Sequence, residues 1–243
     1  MKKRIRLIVA FSLIVFFCRA ALPEKVVILT FDDAVISQYN YVAKILKDDG
    51  FGATFFVCEF PSKSDAERQN YMTWKQIKEL SDMGFEIGNH TKNHVNITKI
   101  SPDSLNAELG YIDSRCREYH IDVPKVFAYP GYSRDSLSIS ILKKRNYWFA
   151  RAGGNRPYKV GTDDPYQLPS YDISGNDPDK VYRAIQSAKQ GEVVILTIHG
   201  VPDIVHPWVN MPPELFRKYM DYLKKNNYTV WSLKTLYENL HVH

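Results

Sequence analysis

The sequence predicts an α/β fold, a parallel sheet flanked by helices, and three observations carry that reading. Seven short, almost continuously apolar runs recur along the chain. Capped amphipathic segments lie between them. The alternation repeats about every 30 residues, the rhythm of strand–helix units. Runs of this kind suit parallel strands covered on both faces. In order they are Lys25–Phe31, Ala53–Val57, Phe85–Gly88, Lys125–Tyr129, Tyr147–Ala150, Val193–His199 and Tyr228–Trp231. Helices are expected over Asn40–Lys47, Trp74–Met83, Pro102–Tyr119, Pro178–Lys189, Pro213–Lys225 and Leu233–Leu240. Thr73, Ser101, Asp177 and Ser232 offer side-chain oxygens to the first N–H groups of four of them. Pro102 and Pro178 occupy the first helical position, where no N–H is needed, and Gly84 marks a stop. Gly153–Gly175, rich in Pro, Gly and Asp, reads as an irregular excursion. An open doubly wound sheet and a closed barrel fit this pattern equally. Either one places chemistry beyond the C-terminal ends of the strands.

Apolar residues make up 44% of the 243 and charged residues 24%. That supplies a core and excludes disorder or a collagen-like fibre. The net charge of +5 is local. Residues 1–20 carry Lys2, Lys3, Arg4, Arg6 and Arg19 and no acid, and the remainder is formally neutral. No electrostatic argument for nucleic acid or an anionic membrane survives. The same segment has a basic start, the apolar run Leu7–Phe17 and a small-residue end. It reads as a secretory signal cut after Ala20, or as an uncleaved N-terminal anchor. The expected location is therefore secreted, periplasmic or cell envelope, with residues 21–243 as one catalytic domain. Cys58 and Cys116 lack zinc-finger spacing and read as two free, buried thiols. Neither the G-x-G-x-x-G nor the G-x-x-x-x-G-K-[ST] nucleotide fingerprint is present.

Polar residues gather at the predicted strand ends. Asp32 and Asp33 follow the first strand together, and close carboxylates repel unless a cation or proton relieves them. His90 and His94 follow the third, and an i,i+4 pair on a helical turn brings both rings to one face. Asp33, His90 and His94 supply one oxygen and two nitrogens with a position left open, the pattern of a catalytic zinc site. Such ligands disfavour magnesium and calcium. His199 ends the sixth strand. His206, seven residues on, is a loop histidine or a rival proton donor.

TFDD after the first strand, H-T-x-x-H after the third and L-T-I-H-G late in the chain resemble the polysaccharide deacetylase family, carbohydrate esterases acting on chitin, chitooligosaccharides and peptidoglycan. The resemblance spans Val26–Leu240. It implies a distorted (β/α) barrel, usually of seven strands, and a divalent metal, usually zinc, with cobalt or nickel as alternatives. It implies Asp32 as general base, His199 as general acid, and Asp33, His90 and His94 as metal ligands. Pro130, Gly131 and Tyr132 would shape the oxyanion and substrate contacts, with Trp208 as an aromatic sugar platform. Two departures stand out. Ala128 occupies the place where the family often has an arginine bracing the catalytic aspartate; Arg151 is the candidate replacement. The fourth family motif is unrecognisable, Asp172 being its nearest candidate. The expected partner is an acetylated glycan. Alternatives are an O-acetyl esterase on a polymer such as xylan, or a glycan-binding member of the same fold.

Overall fold

The computed structural model describes residues 22–60 and 64–241; the predicted export signal at 1–20 lies outside the described residues. Its strands are β1 (Val26–Phe31), β2 (Thr54–Val57), β3 (Glu86–Asn89), β4 (Val126–Ala128), β5 (Phe149–Arg151), β6 (Tyr158–Lys159), β7 (Tyr171–Asp172), β8 (Glu192–Ile198) and β9 (Thr229–Trp231). The helices are α1 (Ala43–Asp49), α2 (Asp65–Arg68), α3 (Trp74–Asp82), α4 (Pro102–Glu118), α5 (Ser136–Lys144), α6 (Pro178–Gln186), α7 (Pro213–Lys225) and α8 (Leu233–His241). None of them is long and apolar enough to cross a membrane.

Parallel pairing runs from β5 through β4, β3 and β2 to β1, and on to β8. The ring is closed by the stretch expected to be irregular. Leu168 bridges Arg151 of β5, with bonds from Ala152 N–H to Leu168 O (2.7 Å) and from Leu168 N–H to Ala150 O (2.9 Å). Three residues later Tyr171 and Asp172 pair with Leu196 and Thr197 of β8. Seven parallel strands thus curl into a distorted barrel, but the seventh is β7 and not the predicted Tyr228–Trp231. That run is β9, which lies against the lower half of β1 (Val26–Ile28) while β2 takes the upper half. The wedge is one source of the distortion, and Gly52 is suited to its edge. A Cβ there would sit 2.8 Å from Ser232 N.

Alternation along each strand sorts the core into two zones. Val26 and Ile28, Phe56, Val126 and Ala128, Phe149, Leu168, and Val193 and Ile195 form one cluster inside the barrel, closed below by Leu233 and Leu236. Their odd-even partners, among them Val27, Leu29, Phe31, Phe55, Val194 and Leu196, pack with residues of the helices, including Leu46, Ile77 and Phe216. The predicted caps form: Thr73, Ser101, Asp177 and Ser232 accept bonds from Gln76, Ser104, Lys180 and Thr235 N–H. Helix α5 escaped the sequence reading because Leu137-Ser138-Ile139-Ser140-Ile141 alternates with a strand's period. Its signal is the Asp135 capping box. Cys58 and Cys116 are both free and buried.

At the base of the barrel Glu86 opens β3. It accepts bonds from Thr54 Oγ1 (2.7 Å) and from Lys234 N–H at the start of α8 (2.8 Å). Burial outweighs these bonds and pushes its carboxyl from the ordinary 4.5 to about 7. An acid whose pKa rises on folding destabilises the native state once ionised. Stability relative to a Glu86→Gln variant is therefore expected to fall as pH rises from about 4.5 to 7, and to level off above. Urea midpoints of both proteins across that window test it; parallel curves would refute it.

Candidate active site

Counting in twos up the inner face of the barrel leads directly to the polar cluster. Val26, Ile28 and Thr30 lead to Asp32; Phe56 leads to Cys58; Gly88 to His90; Phe149 to Arg151; Leu168 and Ser170 to Asp172; Ile195 and Thr197 to His199. Gly88 keeps that face passable, since a Cβ there would lie 2.4 Å from the Phe56 ring. A cleft of about 400 Å³ opens above these residues. Its walls include Asp32, Asp33, His90, His94, Asp172 and His199.

Asp33 and Ala34 turn sharply out of β1 with left-handed backbone, φ +71° and +52°. Thr91 and His94 do the same after β3, at +62° and +51°. The i,i+4 spacing predicts a helical turn at His90 and His94; the segment is instead a loop with two left-handed residues. It still brings the two rings to 4.8 Å, edge to face. Non-glycine residues in this region are costly, and such strain gathers at functional sites.

Asp33 Oδ1 lies 3.5 Å from both His90 Nε2 and His94 Nε2. These are the only described residues whose His, Cys, Asp or Glu atoms cluster closely enough to hold a metal ion. The Nδ1 of His90 is 2.8 Å from Ala128 O. A carbonyl only accepts, so Nδ1 carries the hydrogen and Nε2 presents its lone pair to Asp33 and the ligand position. Burial holds the His90 pKa down at about 4 against the opposing pull of Asp32. Its ring is therefore neutral near pH 7, as a metal ligand must be.

Asp32 is paired with Arg151, whose Nη2 is 2.5 Å from Oδ2. Arg151 is completely buried and also donates to Thr197 Oγ1 at 2.7 Å. The Phe56 and Tyr132 rings flank its guanidinium at 5.3 and 5.5 Å. Burial would push the Asp32 carboxyl up; the Arg151 charge, helped by His90, His199 and His94, outweighs it and holds the group below the ordinary carboxylate value. Its other oxygen, Oδ1, is buried without a hydrogen-bond partner and stands available to accept a proton.

His199 Nε2 is 3.9 Å from Asp33 Oδ2, and its Nδ1 is buried without a partner. His206 comes equally close, with Nδ1 4.0 Å from Asp33 Oδ2, and that nitrogen is 3.2 Å from Asp203 Oδ2. Gly131, with φ +56°, and Tyr132 line the cleft, while Pro130 is buried behind them. Trp208 stands at the rim, 67% exposed and edge-on to His206 at 5.6 Å. Phe60 and Tyr129 also line the cleft and Asp203 braces His206. Nothing in their spacing singled out Phe60 and Tyr129, which stand just past strand ends, whereas Asp203 carried a signal in its partner His206 three residues on.

The chain matches the polysaccharide deacetylase family model over residues 19–150. It is 31% identical over 124 residues to the putative polysaccharide deacetylase YxkH of Bacillus subtilis, covering 51% of this chain and 43% of that protein. The chain thus aligns with less than half the length of that relative. It is 27% identical over 176 residues to the peptidoglycan-N-acetylglucosamine deacetylase of Bacillus cereus, covering 71% of this chain and 72% of the relative. Among solved structures, the Xyl-CE4 domain of a multidomain xylanase from the hindgut metagenome of Trinervitermes trinervoides superposes with a TM-score of 0.63. That match has 21% identity and covers 91% of this chain and 93% of that domain. Motif order, barrel and family match agree that this chain belongs to the polysaccharide deacetylase family.

Proposed function

We propose that the protein is a metal-dependent hydrolase that removes acetyl groups from N-acetylated glycans built on N-acetylglucosamine, working outside the cytoplasm in the envelope, periplasm or medium. The observation that carries this reading is one cleft holding an Asp33–His90–His94 ligand set beside a buried, charge-stabilised Asp32 and a strand-end His199.

Two imidazole nitrogens and one carboxylate oxygen fit zinc, cobalt or nickel. A metal held by those three residues supplies Lewis acidity toward the acetyl carbonyl and lowers the pKa of a water. Asp32 accepts the proton of the attacking water on its unpartnered Oδ1. Arg151 keeps that carboxylate ionised before the step. His199 donates a proton to the departing amine, which leaves poorly as an anion. The Gly131 backbone N–H is the donor nearest in role to an oxyanion hole. Tyr132 and the exposed Trp208 offer ring faces to the apolar face of a sugar.

The test is acetate release by the full chain from N-acetylated chitooligosaccharides, peptidoglycan and acetylated xylan. Release from the amide substrates with zinc, lost on chelation and regained on zinc addition, is expected. Release from xylan alone would move the activity to ester cleavage. No release from any of the three with zinc bound would overturn the hydrolase reading.

A further inference from the structure

We propose that Gln38 is a positioning residue for the reaction: its side-chain amide fixes the spacing between the strand ends that carry Asp32 and His199. The inference rests on the roles given above to those two residues.

β1 and β8 pair in register from Val26 and Val193 to Phe31 and Ile198. The Asp32 N–H adds one more bond, to Ile198 O at 2.9 Å. There the ladder stops. The next donor on the β8 side, Gly200 N–H, is turned away to Asp203 Oδ2 at 3.0 Å. Two carbonyls, Asp32 O and His199 O, are left at the end of the ladder, and neither can donate to the other. Gln38 Nε2 serves both, at 2.5 and 3.1 Å. One NH₂ group has two hydrogens, so a single side chain can bond the backbone of the base and of the acid.

The orientation of the amide follows from its partners. Both are acceptors, so the NH₂ must face them. The Oε1 then points away and is buried without a partner. Gln38 is itself completely buried. An orphan buried acceptor is uncommon and calls for a compensating gain; here that gain is the double clamp. Gln38 also begins a π-helical turn, Gln38–Val42, which leads into α1. Such turns are frequent at functional sites. From the residue just before that turn, Ser37 Oγ accepts the Val201 N–H at 2.8 Å, two residues past His199. Two adjacent side chains thus hold the backbone on which the proposed acid stands.

Gln38 is absent from the cleft lining, so it acts through the residues it holds. Displacing a reacting group by an ångström can cost about 100-fold in rate. Gln38→Met keeps the length and removes both donors. Gln38→Glu keeps the shape and puts a carboxyl where the NH₂ stood. The full zinc-loaded chain is assayed on N-acetylated chitopentaose, with zinc affinity from chelator competition and folding from circular dichroism. The expected result is kcat lowered about 10- to 100-fold, with KM and zinc affinity within about twofold of the parent. A purely structural role would lower zinc affinity and raise KM together with the loss of kcat, and that outcome would overturn the inference. So would an unchanged kcat in a folded variant; if Gln38→Met does not fold, the Glu variant decides. An inactive parent with zinc bound would instead strike at the proposed function itself.

Discussion

The Asp32→Asn variant is expected to bind zinc as the parent does and to release acetate about 10²- to 10⁴-fold more slowly, the range a positioned general base contributes. Asparagine keeps the shape of the side chain and can still accept from Arg151, but its amide does not take up the proton of water. The contrast with Asp33 gives the experiment its force. Asp33 points Oδ1 at both histidines, so Asp33→Asn should lose metal and activity together. Asp32 is 3.9 Å from His90 and spends Oδ2 on Arg151, so its loss should spare the metal. Chelator competition measures the metal and single-turnover acetate release measures the chemistry. Parent-like turnover in Asp32→Asn would remove it from the role of base. Zinc lost from Asp32→Asn would make it a fourth ligand.

Three strand-end residues were legible because a parallel barrel writes them plainly. An apolar run ends, and the next inward-facing position is polar: Asp32 after β1, His90 after β3, His199 after β8. The pleat's period of two then carries each side chain into one cleft. Other features left no such trace. The closing strand β7 has two residues in a Pro- and Gly-rich stretch, too short for a hydrophobic run, and its partners lie on strands remote in sequence. β9 had the better strand signature but the wrong place, because periodicity says nothing about neighbours. The His90–His94 approach depends on left-handed backbone at Thr91 and His94, residues with no preference that announces it. Gln38 was invisible for a different reason. Its contacts are to backbone carbonyls, and a bond between a side chain and a distant main chain leaves no pattern of residue types.

Arg151→Met is expected to reverse the sign with which Asp32 contributes to stability, and to lower turnover most at the acid end of the pH range. In the parent the Asp32 carboxyl sits below its ordinary 3.8, so its stabilising contribution is present above about pH 4 and is lost as pH falls through the folded value. Without the guanidinium, burial governs, and the folded pKa rises above 3.8. The contribution then becomes a cost that grows as pH climbs past 4. Subtracting melting curves isolates the group. Parent minus Asp32→Asn should rise with pH; Arg151→Met minus the Arg151→Met/Asp32→Asn double variant should fall. Two slopes of the same sign would mean that the pair does not govern Asp32. The single variant should also lose about 3–5 kcal/mol, the usual result of removing one partner of a buried ion pair. The double variant should regain part of that while staying inactive, because stability and the base are separable. The acid limb of kcat/KM should move to higher pH in Arg151→Met, since the base must be ionised to act. These effects bear on Ala128 as well. Ala128 and Arg151 are register partners on β4 and β5. The charge that Ala128 lacks is therefore supplied one strand over, by a side chain that crosses the barrel interior to reach β1.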